Sequence, residues 1–159
     1  MSRDHVTAEI NRLRIAVADM QHAAGAARHM TGMHEGSLSR MHDDAKQALE
    51  TGAIVSYVRP FTRHGVGALD KDEWAPASED ERRLHYALIE LRHKRYAHTD
   101  KTDLRGTEDV FGDGQFSHSW VELKPEAWAR IEALAEAQAQ RMRELANRLE
   151  GVLSELPES

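Results

Sequence analysis

Cysteine is absent from the 159 residues, which excludes disulfide staples, thiolate nucleophiles and cysteine-ligated zinc or iron–sulfur centres. No segment approaches the ~20 consecutive apolar residues needed to cross a bilayer. The opening MSRDHVTAEINRLR is charged and has no apolar core of the kind a secretory leader carries. The expectation is a cytoplasmic protein with no membrane partner. There are only four prolines, Pro60, Pro76, Pro125 and Pro157, and each falls at a helix boundary or in a loop. Internal repeats and low-complexity tracts are missing. So are the G-x-S-x-G elbow of serine hydrolases and a glycine-rich phosphate loop followed by a helix.

What is present reads as one all-α domain spanning 1–159, a four-helix bundle. Val6, Ile10, Leu13, Val17, Met20 and Ala24 form one apolar stripe at helical spacing. A second helix opens at Ser37 and repeats at Leu38, Met41, Ala45, Ala48, Gly52 and Val55; it ends near Arg59, because Pro60 disfavours helix just before it. Ser78 and Glu81 fit a capping box at the start of a third helix, whose stripe runs Leu84, Leu88, Leu91, Arg95, His98. The fourth starts at Pro125, with Ile131, Ala135, Met142, Leu145, Leu149, Val152 and Leu156 on its apolar face and Gln138 as a polar interruption. Trp74 is expected over a bundle end. The long connection 99–124 is either a loop or a small hairpin, with β-prone runs at Val110-Phe111 and Phe116 to Leu123 on either side of Gly112-Asp113-Gly114.

The net charge of −6 argues against a surface that binds nucleic acid everywhere. Charge is unevenly placed, however. From Arg82 to Arg105 seven Lys/Arg stand against three acids, giving +4 there and −10 elsewhere. A basic island on an acidic body suits a localised anion site, although solvated helix positions would give the same count. Ten histidines raise the question of a metal. No two are four apart, His22 and His29 are seven apart with His34 and His42 following, and there is one Glu-x-x-His, Glu90 with His93, where a di-iron bundle needs two. No metal or other cofactor is expected.

The island centres on LHYALIELRHKRYAHTD, where Arg92, His93, Lys94, Arg95 and His98 share about two helical turns. Cations are favoured at a helix C-terminus by ~0.3–1 kcal/mol each, so part of the cluster has a structural explanation. Arg95 and His98 nevertheless continue a leucine stripe, where charge is costly unless it is paired or faces a cleft. Arginine offers a planar fork for phosphate oxygens, and histidine moves protons near neutrality. The pair suits phosphodiester chemistry.

Arg92-His93-Lys94-Arg95-Tyr96-Ala97-His98 resembles the signature of the HEPN superfamily: an arginine, then a polar residue, then a histidine after a short gap. Ser56-Tyr57-Val58-Arg59-Pro60-Phe61 is similar to its abortive-infection U-type branch. The resemblance implies a metal-independent endoribonuclease, a toxin or phage-defence effector that works as a homodimer on RNA, with an antitoxin protein as an allowed partner. It assigns His98 as acid or base, Arg92 as phosphate clamp and His93 as an orienting residue; Lys94, Arg95 and Arg59 would contact phosphate. Along an ideal helix Arg92 and His98 differ by ~9 Å of rise and about 120° of rotation, so spacing alone favours Arg95 as the partner of His98. A non-catalytic bundle binding RNA or a protein is the alternative from another class, and a histidine-metal bundle enzyme is a third.

Overall fold

Four helices dominate the computed structural model, which describes residues 2–32, 43–62, 67–93, 115–116, 121–123 and 125–157. They are α1 (Arg3–Gly32), α2 (Asp43–Val58), α3 (Glu79–Arg92) and α4 (Pro125–Glu155), an all-α four-helix bundle. Two short paired strands, β1 (Gln115–Phe116) and β2 (Val121–Glu122), stand between α3 and α4.

The two long helices form the spine. Arg3 of α1 donates to Leu153 O at 3.0 Å and Leu156 O at 2.8 Å, tying the start of α1 to the C-terminal end of α4. Arg14 pairs with Glu150 at 2.6 Å, and Arg28 reaches both Glu132 at 2.6 Å and Glu136 at 2.5 Å. Residue numbers that rise along α1 fall along α4, so the two run antiparallel. The helix α2 returns along α1, and its end is fixed where Arg59 meets Asp19. Ile15 of α1 and Val152 of α4 are the two large apolar side chains left exposed among the described residues.

Burial on α1 follows the expected stripe and widens it. Val6, Ile10, Leu13, Met20 and Ala24 are buried, Val17 is partly so, and Ala16, Ala23, Ala27 and Met30 join them. On α2 the expected register is wrong by about one position. Ala48 is exposed and Ala45, Gly52 and Val55 are half-buried, while Glu50, Ala53, Ile54, Ser56, Tyr57 and Val58 are buried. The reason is volume: the face carrying Ile54 and Tyr57 removes far more apolar area from water than one carrying alanine and glycine. The start expected at Ser37, with Leu38 and Met41, lies outside the described residues. After Val58 the chain tightens into a 3-10 turn, Arg59–Phe61, with Pro60 inside it.

Leu84, Leu88 and Leu91 of α3 are buried as expected. Ser78 does stand at its N-cap, but the hydroxyl makes no capping bond. Three acidic residues of the first turn, Glu79, Asp80 and Glu81, complement the dipole instead. Arg82 fastens the approach by donating to Pro76 O at 3.1 Å and Ala77 O at 2.5 Å. Trp74 is buried against the middle of α4, where Gln138 Nε2 donates to its carbonyl at 2.8 Å and the Arg141 guanidinium lies 4.7 Å from its ring centroid.

The hairpin is displaced from its expected place. Gln115 pairs with Glu122 and Phe116 with Val121, so Phe116 and Val121 of the second β-prone run pair with each other. Val110-Phe111 and Gly112-Asp113-Gly114 lie outside the described residues. On α4, Ile131, Ala135 and Met142 are buried and Leu145 and Leu149 partly so, whereas Val152 is exposed. Gln138, read as an interruption, is 2 % exposed and belongs to the interior.

Candidate functional site

Leu88 and Leu91 hold the second half of α3 in the core, together with Ala53 and Ile54 of α2. Arg92 follows at the helix end and is half-buried. It has no hydrogen bond or ion pair to another described residue. His93 takes the C-cap, where its backbone N–H reaches Glu90 O and Ile89 O, and its side chain is exposed. Arg92 and His93 are thus neighbours at the last turn of α3. Lys94, Arg95 and His98 lie outside the described residues.

Arg59 stands elsewhere. Its Nη1 donates to Asp19 Oδ1 at 2.7 Å, and that carboxylate side chain is only 7 % exposed. The turn that carries Arg59 packs beside the early part of α3, since Phe61 and His85 lie edge to face at 4.9 Å between centroids. Seven residues of helix, ~10 Å of rise, separate His85 from Arg92. Arg59 and Arg92 therefore sit at opposite ends of the α2–α3 pair. Two further members of the basic island have structural tasks: Arg82 binds the carbonyls before α3, and Arg83 pairs with Glu79 four residues earlier at 2.6 Å.

A buried polar network went unseen in the sequence. Tyr57 Oη lies 2.8 Å from His85 Nδ1, and His85 Nε2 lies 3.1 Å from Lys71 O. A backbone carbonyl only accepts, so Nε2 carries the proton and Nδ1 accepts from the tyrosine hydroxyl. His85 and Tyr57 are both fully buried. Burial, foremost, lowers the pKa of His85 and raises that of Tyr57, so both stay neutral. The only sequence sign was that His85 follows Leu84 on the face that repeats at Leu88.

Glu50 of α2 is the second omission, a carboxylate only 3 % exposed. The mistaken α2 register had turned it to solvent. A buried polar residue two turns before Tyr57 is visible once the stripe is read through Ala53 and Ile54.

Two cavities among the described residues lie away from α3. A groove of about 450 Å³ runs between α1 and α4, lined by Gln21, Gly25, Arg28, Glu136 and Arg143 among others. A smaller, apolar hollow of about 90 Å³ is framed by Arg12, Ile15, Arg59, Pro60 and Leu69. Among the described residues no three His, Asp or Glu side chains are grouped to hold a metal. No described helix is long and apolar enough to cross a membrane. No protein-family model matches the chain, and neither the curated proteins nor the solved structures contain a match to it.

Proposed function

We propose that the chain is a metal-independent endoribonuclease of HEPN type, acting as a homodimer, with Arg92 as phosphate clamp and His98 as acid or base. One observation carries the reading beyond its sequence motif. Arg92 is a half-buried guanidinium at the end of a helix whose preceding leucines are locked in the core, and no described residue neutralises it. A cation in that position is preorganised, and its five N–H donors suit two non-bridging phosphate oxygens. By contrast, Arg59, Arg82 and Arg83 are committed to protein partners.

In the reaction proposed, a base removes the proton of the ribose 2′-hydroxyl and the 2′-oxygen attacks phosphorus. The 5′-oxygen of the next nucleotide leaves with a proton from an acid. The products are a 2′,3′-cyclic phosphate and a 5′-hydroxyl end. Arg92 would stabilise the charge that grows on the phosphorane oxygens. The motif supplies one terminal histidine per chain, so a twofold dimer would provide both acid and base. His93, exposed beside Arg92, would contact substrate, and Lys94 and Arg95 would extend the phosphate track.

Purified protein is expected to cut total cellular RNA in excess EDTA, leaving cyclic-phosphate ends. His98→Ala and Arg92→Ala should each abolish cutting while the helical circular dichroism stays unchanged. Cutting that needs added metal would remove the mechanism. RNA retained without any cyclic-phosphate product would favour a binding bundle over an enzyme.

A further inference from the structure

The connection between α2 and α3 is held by its backbone carbonyls. Among the described residues Arg12 donates to Ala68 O, His85 to Lys71 O and Gln138 to Trp74 O. Arg141 donates to Glu73 O and Trp74 O, and Arg82 to Pro76 O and Ala77 O. Guanidinium and amide donors keep their protons across the range in which proteins fold. Of these five side chains, His85 alone changes its charge near neutrality.

Both nitrogens of that fully buried ring are in use: Nε2–H on Lys71 O, and Nδ1 accepting from the Tyr57 hydroxyl. A second proton at Nδ1 sets a donor against a donor and puts a full charge in a dry site. Burial, foremost, disfavours that charge, and Lys71 opposes it, while the Lys71 carbonyl and Asp72 favour it by less. The Asp72 carboxylate is itself held by Tyr86 Oη at 2.7 Å. Tyr57 of α2 and Tyr86 of α3 are the other titratable groups against the ring; Glu81 acts on Tyr57, and α4 brings the neutral amide of Gln138 to it. The two partners of His85 differ in how firmly they are set. Tyr57 is fully buried on a helix, whereas Lys71, Asp72 and Glu73 are exposed residues of a turn. Water reaches a charged His85 at least cost by lifting that turn. We propose that His85 is an acid-operated latch on the α2–α3 connection: its protonation frees the turn around Lys71 while the four helices stay folded. This holds whether or not the chain cuts RNA.

Hydrogen exchange on the full-length chain, followed by NMR from pH 7.5 to 5, tests the latch. The reporters are the amides of Leu69, Trp74 and Ala75, which bond to Pro60 O, Asp70 O and Asp72 O. The closed turn is fully favoured above about 6.5, the value of a histidine in water, and loses ground as pH falls below it. An opening that takes up one proton grows by up to about tenfold per pH unit there. Protection at the three amides, corrected for intrinsic exchange, should fall with that slope in wild type and stay flat in His85→Gln. Amides within α1 and α4 should stay flat in both. The proposal is overturned by a flat wild-type profile, by a slope that persists in His85→Gln, or by α1 and α4 losing protection in step with the turn. Should His85→Gln not fold, the wild-type ring supplies the control. A proton that opens the turn binds the open form more tightly, so the His85 ring must titrate below about 6.5. A midpoint at or above that value overturns the proposal as well.

Discussion

Replacing Tyr57 with phenylalanine isolates a single buried hydrogen bond. The ring is fully buried and stays within 6.0 Å of Phe61 and 5.9 Å of His85, centroid to centroid, so apolar packing should survive the change. Only the hydroxyl that donates to His85 Nδ1 is removed. His85 is itself fully buried, so no water replaces the donor, and an orphaned buried acceptor costs about 1–3 kcal/mol. Urea unfolding followed by circular dichroism should show a lower midpoint at pH 7.5 with an unchanged slope, since the exposed surface is the same. The pH dependence gives a second check. His85 has its pKa lowered in the fold, chiefly by burial, from an unfolded value near 6.5. The unfolded chain therefore binds the proton more readily than the native one. The stability attached to neutral His85 is complete above about 6.5, is lost as pH falls below that value, and levels off under the lowered native pKa. Subtracting the unfolding free energies of His85→Gln from those of wild type should reveal that acid-side loss against the background of the other histidines. A Tyr57→Phe change below about 0.5 kcal/mol, the range of an ordinary surface substitution, would refute the claim that this bond is dry and structural.

Arg59→Met should destabilise the protein by about 1–3 kcal/mol, because it leaves the nearly buried Asp19 carboxylate without its donor; adding Asp19→Asn should recover most of the loss, which denaturant titration of the single and double variants would show. Two glycines should respond oppositely to alanine. Gly25, inside α1 with open space where a Cβ would stand, should gain about 0.5–1 kcal/mol in helix propensity. Gly67, at φ +85°, should lose at least about 1 kcal/mol to backbone strain, so thermal melts should shift up for the first and down for the second.

How far the sequence could be read depended on side-chain volume and on buried polar groups. Helix α1 was legible because Val6, Ile10, Leu13 and Met20 are large enough to mark the face unaided. Helix α2 was not, since Ala45, Ala48 and Gly52 keep helical spacing while removing little area from water. The face that wins carries Glu50 and Ser56 beside Ile54 and Tyr57, and polar letters on a core face erase the pattern. Gln138 misled for the same reason, and its amide proves to hold the Trp74 carbonyl. The hairpin was expected at the glycines because Gly-Asp-Gly is a strong turn signal, yet the described pairing joins Gln115-Phe116 to Val121-Glu122. Of the site, Arg92 and His93 stand together at the end of α3 as expected, while Lys94, Arg95 and His98 lie outside the described residues. The placement of Arg59 beside Asp19 depended on a contact between α1 and α2 that no local pattern encodes.

The buried polar groups themselves divide in an instructive way. Asp19, His85 and Gln138 lie on three different helices, yet all act at the level where α2 ends. Asp19 holds Arg59, His85 holds Tyr57 and the Lys71 carbonyl, and Gln138 holds the Trp74 carbonyl. Together they fasten the segment leading from α2 to α3 onto the bundle, and by doing so they set the depth at which α3 starts. A rigid helix started at a fixed depth ends at a fixed depth, so these contacts also determine where Arg92 emerges. Glu50, seven residues before Tyr57 on α2, is a further buried polar group, apart from those fastenings. Those fastenings make the end of α3, where Arg92 stands half-buried with no partner among the described residues, the place to test for chemistry first.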